Sequence, residues 1–148
     1  MEMTALAGDS REQREAEAWL VGALAEKLCI RLAKRKWYLD NGSWIELDGF
    51  CEVPLILCEV WAHIGAPKSA QKHKVMTDAL KLLFVKETLV KNEGKCILLF
   101  ADYRAAEHFQ GKSWMAQCLK KYNIAVEVVE LPLELEFKVQ AAQKRQFR

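Results

Sequence analysis

Apolar residues Trp19, Leu20, Ala23, Leu24 and Leu28 recur every three or four positions, the spacing of a helix with one buried stripe. Asp9 or Ser10 can cap its start and Glu12 falls in its first turn, so the pattern predicts a helix running to about Lys36. Its last stretch, "RLAKRK", is basic, which suits a helix C-terminus. The period then changes. "KWYLDNGSW" and "WIELDGF" alternate around Asp40-Asn41-Gly42, and Asn-Gly readily takes the positive φ angles of a β-hairpin turn.

"PLILCEVWA" is continuously apolar apart from Glu59, as expected of a central strand covered on both faces. An amphipathic helix is predicted from about Ser69 to Val90, then "KCILLFAD" as a second buried strand, a helix from about Ser113 to Tyr122, and "IAVEVVEL" as a last strand. Strands alternating with helices predict an α/β domain whose mixed central sheet is flanked by helices and whose later strands are parallel. One domain is expected over residues 1–148, with a core of about 15–131. The polar, basic segment 132–148 reads as a helical tail.

Charge and cysteine usage narrow the picture only a little. Lys plus Arg number 22 against 20 for Asp plus Glu, a net +2, so any basic site must be local. Five cysteines without a C-x-x-C pair, a polar start and no bilayer-length apolar run point to a soluble cytoplasmic protein with no membrane partner. "GKS" at Gly111 to Ser113 stands where a phosphate loop would. The first glycine of that motif falls on Ala106, however, and Glu107 and Phe109 occupy what reads as loop, against an amide cradle. No dinucleotide, zinc-protease or nucleophile-elbow motif is present.

The chemistry therefore rests on two acids in apolar company. Side chains alternate along a strand, so Glu59, Trp61 and His63 share one face of the central run, and Glu46 and Asp48 share a face of the preceding one. If these strands are neighbours, Asp48 and Glu59 meet at one edge of the sheet. Two carboxylate donors with open positions suit a hard cation such as Mg²⁺, completed by water and a substrate phosphate. The structural alternative is a Glu59 ion pair with a lysine and an Asp48 that caps an Asp-Gly turn.

This order of elements, with Asp48 in "LDG" and Glu59 in "CEVW", resembles the PD-(D/E)XK nuclease superfamily, or restriction-endonuclease-like fold. The resemblance covers about residues 15–131. It implies Mg²⁺- or Mn²⁺-dependent cleavage of nucleic-acid phosphodiester bonds, DNA in the first instance, with Asp48 and Glu59 as the metal ligands and the Val60 carbonyl assisting. Trp61 stands where the family's lysine belongs. The helix after the Glu59 strand offers replacements, since active-site groups in this superfamily migrate onto it. Lys72 lies in the first turn on the apolar side, and Gln71, Lys74, Asp78 and Lys81 form a bordering stripe. Lys72 or Lys74 is the expected substitute, with Gln71 positioning phosphate or water. Lys68 and His63 are further candidates for binding substrate, although Lys74–Asp78 also reads as a surface ion pair and His63 as a hydrogen-bonded structural residue.

Trp37 and Tyr38 beside "AKRK" form a basic-aromatic patch, readable as a nucleic-acid contact or as a helix end meeting a strand. The C-terminal "QKRQFR" invites the same two readings. Trp61 reads as core packing or a stacking platform. A catalytically degenerate binding module of the same fold is the alternative function, a metal-free interaction domain a third, and a homodimer is left open.

Overall fold

In the computed structural model, which describes residues 10–91 and 93–146, the first apolar stripe becomes α1 (Arg11–Leu28). Ser10 caps it reciprocally: its hydroxyl accepts from the Gln13 N–H, and its own N–H donates to Gln13 Oε1, both at 3.1 Å. Asp9, the other expected cap, lies outside the described residues. Gln13, Ala16, Leu20 and Leu24 form the buried edge, while Trp19 stays partly exposed.

The helix ends eight residues before the predicted Lys36. Cys29 turns left-handed at φ 56°, and the Ile30 N–H closes back onto the Ala25 carbonyl at 3.0 Å. "RLAKRK" is therefore mostly strand. Ala33–Tyr38 (β1) pairs antiparallel with Trp44–Cys51 (β2), and Trp37 packs edge-on to Phe50 at 5.1 Å. Pairing with a partner strand has overridden a weak local helix preference. The hairpin turn falls where the Asn-Gly signal placed it, with Gly42 at φ 88°.

β3 (Ile56–Trp61) is buried along its whole length and pairs antiparallel with β2 and parallel with β4 (Lys95–Phe100), which pairs parallel with β5 (Ile124–Val128). The fold is α/β: a five-stranded mixed open sheet in the order β1-β2-β3-β4-β5, flanked by helices. Alternation along the central strands builds two cores. Leu57, Trp61, Leu98 and Phe100 face α2 (Ser69–Phe84), α3 (Tyr103–Gln110) and α4 (Trp114–Lys121), whereas Cys58, Val60, Ile97 and Leu99 face α1 and α5 (Leu133–Gln146).

α2 continues to Val90 as a π-helical turn, closing the predicted 69–90 helix. The segment holding Glu107 and Phe109 is helix α3 rather than loop. Asp102 caps it through the Arg104 N–H, and Ala105, Ala106 and Phe109 are buried under the sheet. The Ser113 hydroxyl caps α4 by accepting from the Ala116 N–H and donates to the His108 carbonyl at 2.6 Å, so "GKS" is a helix junction. The tail α5 packs on the body: Val139 and Ala142 are buried against α1, and Arg145 pairs with Glu12 at 2.9 Å. Among the described residues no helix is long and apolar enough to cross a membrane.

Candidate functional site

β2 and β3 stay paired from Cys51 opposite Ile56 to Gly49 opposite Cys58, and then part. At that point β2 bulges: Ala33 faces Phe50 and Arg35 faces Leu47, so two steps of β1 span three of β2 and one extra residue is taken up around Asp48–Gly49. A bulge re-aims the side chain it carries. Asp48 turns into the gap between the strands and its Oδ2 accepts from the Val60 N–H at 2.9 Å. Glu59 reciprocates, with Oε1 accepting from the Asp48 N–H at 3.1 Å. The two acids thus occupy each other's missing ladder bonds, and Asp48 does not cap a turn.

α2 supplies the counter-charge. Lys81 Nζ lies 2.9 Å from Glu59 Oε2, both side chains largely buried. Lys81 belongs to the stripe read from sequence, and Lys74 and Asp78 of that stripe line the same cleft of about 200 Å³ with Asp48, Glu59 and Lys81. Trp61 and His63 wall its far end, their rings stacked 4.2 Å apart, and Lys74 Nζ stands 5.8 Å from the centre of the Trp61 ring. Glu17 of α1 lines the opposite side. Trp61 itself is core, 5 % exposed.

Carboxylates outnumber cations here. Burial, and then the Asp48 charge, push Glu59 up to about 8 against the opposing pull of Lys81. Burial likewise raises Asp78 to about 6. Burial alone would lower Lys81, but the charge and hydrogen bond of Glu59, with Asp78 and Asp48, hold it above its ordinary value. Cys58, buried beside the acids, has its thiol pushed well up by burial and both carboxylates, so it is no nucleophile. His63 is forced down to about 4 by burial and the Lys74 charge, and the Gln13 side-chain amide donates to its Nε2 at 3.2 Å. It is a neutral, structurally bonded histidine at the cleft wall.

Of the residues expected from sequence, Asp48, Glu59, Lys74 and His63 come together, and Lys72, Gln71 and Lys68 do not. Lys72 points toward α3, where burial and the Lys72 charge lower His108. Gln71 Oε1 accepts from the Lys68 N–H at 2.9 Å at the start of α2, and both residues line a separate hollow with Gln140, Gln143 and Lys144. Neither Lys72 nor Gln71 lines the cleft that holds Glu59. Lys81, two turns deeper, is the partner that sequence reasoning ranked too low. Its signal was the Lys74–Asp78–Lys81 spacing, which keeps all three on the side facing the acids.

Asp48 and Glu59 offer carboxylate oxygens, the donor type a hard cation takes. Among the described residues there is no group of three or more His, Cys, Asp or Glu side chains that could hold a metal ion. Comparison with family models, curated proteins and solved structures finds no match for this chain.

Proposed function

We propose that the cleft is a cation-assisted phosphodiester-cleaving site and the chain a cytoplasmic nuclease of restriction-endonuclease-like architecture. The observation that carries this reading is the reciprocal Asp48–Glu59 pair at the parting of β2 and β3, met by Lys81 from α2. An ion pair built only for stability needs one carboxylate for one lysine. Here Asp48, Glu59 and Asp78 share the cleft with Lys81 and Lys74, a surplus of acid that added positive charge would relieve.

In this reading Asp48 and Glu59 hold Mg²⁺ or Mn²⁺, which when bound would polarise a phosphoryl oxygen and acidify a water. Lys81 takes the place of the lysine missing at Trp61: an ammonium beside Glu59 Oε2 can orient the attacking water and offset charge growing on the phosphate. Lys74, exposed at the mouth, can meet a phosphate oxygen of the incoming strand. His63, neutral and bonded to Gln13, orders the wall and carries no charge at physiological pH.

The test is Mg²⁺- or Mn²⁺-dependent cleavage of plasmid, single-stranded DNA and RNA by the full chain and by Asp48→Ala, Glu59→Gln and Lys81→Met. Each variant should lose roughly 10²-fold or more while retaining native circular dichroism. Undiminished cleavage by folded Asp48→Ala or Glu59→Gln would overturn the assignment.

One observation favours a second reading, a degenerate binding module. Both Glu59 oxygens are already engaged, Oε1 by the Asp48 N–H and Oε2 by Lys81. On that reading divalent metal changes nothing and nucleic-acid affinity survives loss of either acid.

A further inference from the structure

The hairpin that delivers Asp48 also carries exposed aromatic rings that its own packing does not use. At its turn end Tyr38 lies directly opposite Trp44, and two residues in, Lys36 lies opposite Glu46. Tyr38 is 71 % and Trp44 56 % exposed. Lys36 Nζ lies 4.2 Å from the centre of the Trp44 ring and 6.0 Å from that of Tyr38.

Charged residues on an edge strand such as β1 guard against strand addition, and Lys34, Arg35 and Lys36 do that. They do not account for two exposed rings side by side. Lys34 and Lys36 share the ring-bearing face of β1 against Glu46 across from them, while Arg35 lies over Trp37 and Phe50 on the other face, so this face of the hairpin is basic in a chain with little net charge.

We propose that Tyr38, Trp44 and Lys36 form a stacking platform for unpaired bases, so that the preferred substrate is single-stranded nucleic acid or a single-stranded stretch beside a duplex. Base stacking on an aromatic side chain outweighs an exposed cation–π contact, so an arriving base can displace Lys36 from Trp44 while a phosphate draws the ammonium outward. Trp44, Glu46 and Asp48 are alternate residues of β2, which puts the platform about 13 Å along the strand from Asp48 at roughly 3.3 Å per residue. A strand held on the rings is thereby led to the acids. In placing the scissile bond, the proposal rests on the nuclease reading. In binding, it does not.

The experiment is fluorescence anisotropy of fluorescein-labelled oligothymidylate, and of its duplex with oligodeoxyadenylate, added to the full chain in a chelating buffer that prevents cleavage. Tyr38→Ala and Trp44→Ala should each weaken single-strand binding by roughly 5- to 150-fold and duplex binding far less, with Trp44→Phe largely restoring it. Lys36→Ala should weaken both ligands and flatten the salt dependence.

Failure of native protein to bind the oligonucleotide, or equal losses on single strand and duplex, would overturn the platform. So would a dimer in sedimentation that Trp44→Ala dissolves without affecting oligonucleotide affinity, since the rings would then serve a second copy of the chain. Asp48→Ala run in parallel separates the two readings. Trp44-dependent binding with no metal-dependent cleavage of any substrate supports the platform and sinks the nuclease. Cleavage in which Trp44→Ala leaves the ratio of single-strand to duplex rates unchanged overturns the platform alone.

Discussion

Lys81, in the last turn of α2, meets Glu59 at 2.9 Å, so the cation beside this buried strand carboxylate comes from the helix packed across β3. Removing it should expose two effects of opposite size. Lys81→Met leaves a buried carboxylate without its cation, but Glu59, already shifted to about 8, can neutralise itself by taking a proton. Destabilisation in urea should therefore stay near 1–2 kcal/mol at pH 7, short of the 3–5 kcal/mol typical of a broken buried pair, and adding Glu59→Gln should recover most of it. Cleavage should fall far more than stability. Lys72→Ala and Lys68→Ala, outside the cleft, should leave cleavage near the native rate.

Asp48→Asn keeps an acceptor for the Val60 N–H and deletes one charge from a crowded group of acids. The fold should gain about 1 kcal/mol at pH 7–8 while losing metal response, the usual opposition between stability and a strained site. Chemical denaturation across that pH range checks it. A stability loss would mean that the acid pair is held together for structure alone.

Metal should stabilise the native chain by mass action. At ten times its dissociation constant Mg²⁺ or Mn²⁺ should add about 1.4 kcal/mol, read as a rise in Tm reversed by chelator. Glu59→Gln and Asp48→Asn should show a much smaller rise, or none.

His63 makes a pH prediction with a definite sign. Its folded-state value, near 4, lies below the ordinary 6.5, so the unfolded chain takes up the proton first. The stability it contributes is complete above pH 6.5 and drains as the pH falls toward 4, by up to about 3 kcal/mol. Glu59 and Asp78 run the other way, because carboxyls with raised values favour the folded state as the pH falls. Comparing native protein with His63→Gln between pH 7 and 4 isolates the histidine: the native curve should fall more steeply.

Much of this molecule is legible in order of residues because its signals are local. Continuous apolar runs around Leu57 and Leu98 mark strands buried on both faces, Asn41-Gly42 marks the hairpin, and the three- and four-residue recurrences of α1 and α2 mark one-sided helices. Even α3 was within reach, since Asp102 followed by Ala105, Ala106 and Phe109 is a cap and a stripe, obscured by the glycine that follows.

The sequence by itself also placed Asp48 and Glu59 together on the condition that their strands pair, because neighbouring antiparallel strands joined by a short turn bring such positions opposite each other, and the β2–β3 pairing meets that condition. Tertiary structure decided the rest. Whether "AKRK" is helix or strand depended on β2 being there to pair with it, and the bulge that turns Asp48 inward exists only in that pairing. Which lysine reaches Glu59 depended on how α2 lies across β3. A helix advances about 1.5 Å per residue and a strand about 3.3 Å, so the seven residues between Trp61 and Ser69 and the angle of return choose Lys81 over Lys72; the stripe spacing sets the side Lys81 faces but not its level beside Glu59.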